Sequence, residues 1–231
     1  RCEPYIACDD MRMREHAREI LSGLLIMRHA LQAKQCLIGI EDNKPEAYAA
    51  MVEAFEAIQK QQVNDTDNIH ILQIPTIYPA GSEKQIVTVL TGKEVPSNGL
   101  PIDIGVVCHN VGTAVAIYHA VMHSQPLASR ILTVTGQGVK NPWNLEVAFG
   151  TPIQDLVEQG GGYTEKIKRM IIGGPMMGYT LPADELPITK TINCVLCASE
   201  QEAPDHRPQM PCIRCGECTR VCPVQLLPQQ M

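Results

Sequence analysis

"CLIGIEDNKPEAYAAMVEAFEAIQKQQVNDTDNIHILQIP", residues 36–75, sets the fold class. The short apolar run "CLIGIED" reads as a buried strand. "NKPEAYAAMVEAFEAIQKQQ" then repeats apolar residues at helical spacing, with Pro45 in its first turn, where a missing N–H removes no helical hydrogen bond. "IHILQIP" is a second strand, ended by Pro75. Two strands joined by a helix of that length form a βαβ unit, so the strands run parallel.

The same alternation extends in both directions. Upstream, "DDMRMREHAREILSGLLIMRHALQAK" places Ile20, Leu24, Met27 and Leu31 at helical spacing, with Asp9 or Asp10 positioned to cap one long helix. Downstream, "GSEKQIVTVLTGKEVP" predicts a helix closed by Gly92. "DIGVVCHN" predicts a third strand, and "VGTAVAIYHAVMHS" a helix that Asn110 caps. Residues 1–125 are therefore expected to be α/β with a mostly parallel sheet. After "SQPLASR" the texture changes to short strands around one helix: "RILTVTGQGV", "NLEVAFG", "TPIQDLVEQGGG" and "KRMIIGGPMMG". These predict a small α+β unit over 128–190. The polar stretch "CASEQEAPDHRPQM" then leads to a cysteine-rich tail over 205–231. No internal repeat is evident.

Bulk properties exclude several classes. The 231 residues carry a net charge of −6 with a pI near 5.6, so the basic footprint of a nucleic-acid binder is missing. No run of about 18 apolar residues is present, so no segment reads as a membrane-spanning helix. With two Phe and one Trp, the core must be aliphatic. The opening "RCEPYI" looks mid-element, without the basic and apolar regions of a secretory signal, and predicts a piece of a longer protein. Ten cysteines are too few for a disulfide scaffold in a chain this long, and six of them crowd the last forty residues. That clustering points to a metal site in a reducing, cytosolic compartment.

"CIRCGECTRVCP", residues 212–223, has the Cys-x2-Cys-x2-Cys-x3-Cys-Pro spacing of an iron–sulfur run. Cys212, Cys215 and Cys218 can face one cubane, while Cys222 points to another. Four thiolates also suit tetrahedral zinc, although zinc sites usually pair two separated Cys-x2-Cys hooks. "NCVLC" holds a lone Cys-x2-Cys, Cys194 and Cys197, which reads as buried inert thiols or as a ligand pair. His119 and His123, four apart on one helix face, read as solvated or as a metal pair. Cys2, Cys8, Cys36 and Cys108 read as apolar fillers. "GQGVKN" and "GGPMMG" read as turns rather than phosphate loops, the latter because Pro175 stands where an amide donor would be useful.

An ordered set of phrases resembles one family across essentially the whole chain. "CEPYIACDD", "GIEDNKPEA", "PTIYPAGSEKQ", "LTGKEVP", "HNVGTA", "NLEVAFGTPI", "GGPMMG" and "CIRCGECTRVCPVQLLPQQ" resemble the C subunit of the Rnf (Rsx) electron-transport complex. That family is similar in turn to the flavin- and NADH-binding subunit of respiratory complex I. The resemblance implies a Rossmann-like flavin domain, a β-grasp unit of the soluble-ligand-binding type, and a ferredoxin-like tail that begins a two-cluster 4Fe-4S module. It implies a translocase subunit of NADH:ferredoxin oxidoreductase type, taking electrons from NADH through FMN and 4Fe-4S clusters. Other Rnf subunits and ferredoxin are the implied partners, and the cytoplasmic side of the inner membrane, peripherally, the implied location. By position it assigns Glu3, Tyr78, Gly81, Glu83, Asn110 and Thr113 to the FMN and NADH pocket, and Cys212, Cys215, Cys218 and Cys222 to iron. The family's glycine-rich loop, G-x-G-G-x-G-F-P-T, and its second cluster motif are not among these residues, and Arg1 stands where the family has an acid. Half of a flavin site is therefore expected, with no activity from the 231 residues alone. The competing reading is a flavin-free iron–sulfur relay or docking module.

Overall fold

A computed structural model describes residues 3–61, 66–204, 210–222, 226–227 and 230. In the first region, α1 (Cys8–Glu15) and α2 (Ala17–Leu31) precede β1 (Cys36–Glu41), α3 (Pro45–Lys60) and β2 (Ile69–Ile74), followed by α4 (Glu83–Thr91) and α5 (Val111–His123). β1 and β2 pair in parallel, from Cys36 opposite Ile69 to Glu41 opposite Ile74. Ile38 and Ile40 of β1 pack with Ala47 and Met51 of α3 and with Ile20 and Leu21 of α2. On the other face Gly39 lets α4 approach closely: a Cβ there would lie 3.3 Å from Ile86 and Leu90. The crossover read from residues 36–75 is thus present, with Pro45 at the start of its helix.

Three local expectations need correction. The long first helix divides at His16, whose φ of −120° leaves helical space, and whose ring turns to Glu19 at the start of α2, 3.1 Å away. Ala7, not an aspartate, occupies the cap position of α1; Asp9 and Asp10 lie in the first turn, where a carboxylate still faces the positive end of the helix. "DIGVVCHN" does not form a strand. Pro101–Ile104 make a 3₁₀ turn, closed by the Leu100 amide donating to Asp103 Oδ2 at 2.8 Å and by Gly105 at φ +73°. Proline-fixed φ followed by a left-handed glycine suits a turn, not a ladder. Among the described residues the first sheet therefore has two strands.

The second region holds β3 (Ser129–Thr135), β4 (Trp143–Ala148), α6 (Ile153–Gln159), β5 (Ile167–Ile172), β6 (Tyr179–Leu181) and β7 (Cys194–Ser199). Their order is β4-β3-β7-β5-β6, with β3 and β7 parallel and the other pairs antiparallel. Leu132, Val134, Val147, Ile153, Leu156 and Val195 form its core. The central strand is "CVLCAS", so Cys197–Ser199 belong to the sheet rather than to the polar linker. All six of its residues are buried. A strand covered on both faces reads as a continuous apolar run without alternation, which is why a pair of cysteines hid it.

The chain segment before α1 joins the two regions. Ile6 and Cys8 pack against Cys194, Leu196 and Ala198 of β7. The Ala7 amide donates to Thr133 Oγ1 at 3.0 Å, and that hydroxyl donates to Asn144 Oδ1 at 2.7 Å. In the tail, α7 (Glu217–Val221) is a short helix.

Candidate functional site

In a parallel sheet the loops leaving the carboxyl ends of the strands form the ligand crevice. Here β1 and β2 end side by side, and Thr76 locks their exits together: its amide and hydroxyl donate to Asp42 Oδ1 at 3.1 and 2.6 Å. The chain leaving β2 carries Ile77, Tyr78, Ala80 and Gly81 into α4. Ile77 and Tyr78 are exposed, and Ala80 is buried. The Tyr78–Pro79 peptide is cis. Ser82 occupies the cap position of α4 without a capping side-chain hydrogen bond, so the first amides of that helix are not answered by its hydroxyl. Such an N-terminus offers N–H donors to a phosphate or sugar oxygen. Glu83 follows, exposed in the first turn.

A second helix start lies beside it. Burial, and after it the negative charge of Glu83, push the Cys108 thiol up from its ordinary value. Asn110 caps α5 by accepting from the Gly112 amide at 2.7 Å, as expected. Its Nδ2 donates to Asp9 Oδ2 at 2.8 Å, tying the start of α5 to the first turn of α1. Arg12 lies along the same edge, within 3.5 Å of where a Gly112 Cβ would stand. Thr113 is exposed one residue further on. Tyr78, Gly81 and Glu83 therefore lie at the start of α4, and Asn110 and Thr113 at the start of α5. Asp9 and Arg12 join them and were missed, because an aspartate and an arginine on a helix read as solvated. Uncapped amides, exposed Tyr78, the Glu83 and Asp9 carboxylates and the Asn110 amide suit a flavin's polar rim and a nucleotide's hydroxyls.

Glu3 lies elsewhere. Its carboxylate accepts from the Met176 amide at 3.0 Å and from the Met177 amide, both in "GGPMMG". That loop is a turn, as read, yet its amides do donate to an anion despite Pro175.

Between the two regions is a cleft of about 280 Å³ lined by Arg12, His16, Glu19, His119, Ser129 and Glu146. Glu19 Oε2 lies 3.1 Å from His16 Nδ1 and 3.1 Å from His119 Nε2, bridging α2 to α5. His119 is thus part of a helix seam and not a solvated face. Its Nε2 is engaged by Glu19, while its Nδ1 is buried with no hydrogen-bond partner and its ring centroid lies 5.6 Å from that of His123.

In the tail, Cys212 and Cys215 are exposed and Cys218 and Cys222 half-buried. Arg214 at φ +59° and Gly216 at φ +78° are both left-handed and curl the loop. The Arg214 amide lies 3.4 Å from Cys212 Sγ, and the Leu226 amide 3.4 Å from Cys222 Sγ. Four thiols on a curled loop with amide donors at sulfur are the donor chemistry of an iron–sulfur cluster. Among the described residues, no three His, Cys, Asp or Glu side chains are gathered around a metal position. Pro223, the last residue of the motif, lies outside the described residues. Cys194 and Cys197 are different. Three apart on a strand, they face opposite sides of the sheet, one toward Ile6 and Leu196, the other into the core with Val134 and Val195. They cannot ligate one metal.

Residues 1–119 match the Nuo51 FMN-binding domain. The chain belongs to that family. Residues 131–180 match the SLBB domain, on β3 to β6. Over 231 residues the chain is 48% identical to a Vibrio cholerae protein, the C subunit of an ion-translocating oxidoreductase complex. Over 230 residues it is 46% identical to the protein of the same name from Pseudomonas aeruginosa. All of this chain is covered in both matches, and it spans 29% of the length of each relative. Its fold is similar to a chain in the crystal structure of an NAD+-reducing NiFe hydrogenase in the H2-reduced state. That likeness has a TM-score of 0.74 at 18% identity, covering 86% of this chain and 39% of the other. The resemblance read from the phrases and the α/β region followed by a mixed sheet thus hold. No helix among the described residues is long and apolar enough to cross a membrane.

Proposed function

We propose that this chain is the central part of an Rnf-type C subunit that accepts electrons from NADH and passes them toward ferredoxin in a complex that moves ions. Its supporting observation is the β1–α3–β2 crossover leading through the Tyr78–Gly81 loop into the uncapped start of α4, in a chain covered along all of its length by relatives that bear that name. FMN, when bound, supplies the conversion of a hydride into single electrons, and 4Fe-4S clusters supply the onward path.

The chain's own residues have these tasks. Gly81 and the first amides of α4 hold polar atoms of the cofactor, with Tyr78 against its apolar face. Asn110 and Thr113 donate from the start of α5, and Asp9 fixes the Asn110 amide in one orientation. Glu83 answers ribose hydroxyls or the nicotinamide amide. Cys212, Cys215 and Cys218 hold one cluster and Cys222 contributes to a second. The remaining subunits of the complex are the protein partners, and the location is the cytoplasmic side of the inner membrane, as a peripheral subunit.

The test is Glu83→Gln in the full-length subunit, with NADH oxidation followed against an artificial acceptor. A rise in KM of about ten-fold with flavin content retained supports the assignment, the size expected when one hydrogen bond to a ligand is lost. Unchanged kinetics removes Glu83 from the site.

A further inference from the structure

The cleft between the two regions takes no part in the function proposed above, and its charges are unequally answered. Val115 of α5, Leu127 of the connecting segment and Ile131 of β3 give it an apolar lining. Its acids already have partners. An ionised carboxylate only accepts, so the two ring nitrogens that meet Glu19 Oε2, His16 Nδ1 and His119 Nε2, both carry protons. That assignment leaves His119 Nδ1 as a bare lone pair, in agreement with its burial without a partner. Glu146 Oε1 accepts from the Ser129 hydroxyl at 2.6 Å. Arg12 is the exception. It is half-buried in the cleft wall, and among the described residues its guanidinium makes no hydrogen bond or ion pair. A half-buried guanidinium without an acceptor has given up hydration and received no partner. Its planar fork of donors matches a carboxylate, which it can hold through two parallel hydrogen bonds.

We propose that this cleft binds a small organic carboxylate, with its anionic end on Arg12 and its apolar body against Val115, Leu127 and Ile131. A volume of about 280 Å³ lies at the small end of ligand pockets; it suits a single ring or a short branched chain and excludes a dinucleotide. A ligand held there touches α1 and α5 on one side and β3 on the other. Its binding therefore stabilises the junction between the two regions, because an occupant that needs both walls binds only the assembled junction.

Ligand-observed magnetic resonance titration of the full-length subunit with isovalerate tests this. Isovalerate is expected to bind with a Kd below about 1 mM, within the efficiency open to so small a ligand. Isovaleramide, with the same body and no charge, should bind at least about ten-fold more weakly, and so should isovalerate to Arg12→Gln, since each loses a charge-assisted hydrogen-bond pair. Inorganic phosphate, an oxyanion without an apolar body, should also bind more weakly than isovalerate. Leu127→Trp fills the apolar side of the cleft from an exposed position, so the fold is kept and isovalerate binding should be lost. Absence of binding to the wild type overturns the proposal. So does binding that Arg12→Gln or Leu127→Trp leaves unchanged, which would put the probe elsewhere. Phosphate binding as tightly as isovalerate overturns the assignment to an organic carboxylate.

Discussion

The two cysteine pairs of this chain share one spacing and have opposite surroundings. Cys194 and Cys197 are fully buried in the central strand of the second sheet, whereas Cys212 and Cys215 are exposed on a loop with two left-handed residues. In a strand, a separation of three points the side chains to opposite faces; in a curled loop, the same separation brings both sulfurs to one side. Ligand spacing is therefore a property of backbone conformation as much as of sequence. The strand pair became core, and the loop pair kept its thiols available.

The largest effect that bears on this contrast is in iron content. In the full-length subunit, Cys212→Ser, Cys215→Ser or Cys218→Ser should each remove one cluster, about four irons per chain, as read by iron counting and paramagnetic resonance. Cys197→Ala should leave the iron count unchanged. Loss of iron from that variant in a folded protein would undo the contrast.

Cys197 instead carries stability. Cys197→Ser buries a hydroxyl among Val134, Val195 and Leu132 and should cost about 1–3 kcal/mol in a denaturant titration. Its proton tells the same story. Burial, with a smaller contribution from the Asp184 charge, pushes the Cys197 thiol up to about 12 from an ordinary value of 9.0. The folded protein therefore holds that proton more tightly than the unfolded chain. The resulting stability is fully present below pH 9 and is lost as pH rises from 9 toward 12. Wild type and Cys197→Ala should accordingly differ in the slope of stability against pH over that window and not below it. At about pH 8, a maleimide should label Cys212 and Cys215 in the folded protein stripped of iron by a chelator and reach Cys197 only after unfolding.

The smallest effect is expected at Gly216. A Cβ there meets nothing within 4 Å, yet φ is +78°. Gly216→Ala should cost about 1–2 kcal/mol of loop geometry, lowering cluster yield on anaerobic reconstitution without abolishing it. Full cluster yield would mean that the left-handed turn does not shape the site.

How much was legible depended on whether a segment's neighbours were local. Pro45 at a helix start, Gly92 at a helix end and the Asn110 cap were readable because each rests on contacts within a few residues, and the β1–α3–β2 crossover because its three elements follow one another directly in the chain. β7 was not, since its apolar run becomes a strand only between β3 and β5, which are distant in sequence. The division at His16 depends on Glu19, which also reaches His119 a hundred positions away. The third expected strand failed because a proline and a left-handed glycine outweighed an apolar run. At the site, motif residues on loops were legible by resemblance, while Asp9 and Arg12 were not, since only the fold brings α1 against the start of α5.

The proposed function requires that the loops after β1 and β2 hold a flavin that takes electrons from NADH and delivers them to clusters on the tail thiols. Anaerobic addition of NADH to the full-length subunit, followed by absorbance, puts this to the test in one step. Loss of the flavin band followed by bleaching of the broad cluster absorbance is expected, with the cluster change alone missing in Cys215→Ser. A protein that contains both cofactors and whose spectrum NADH leaves unchanged would refute it.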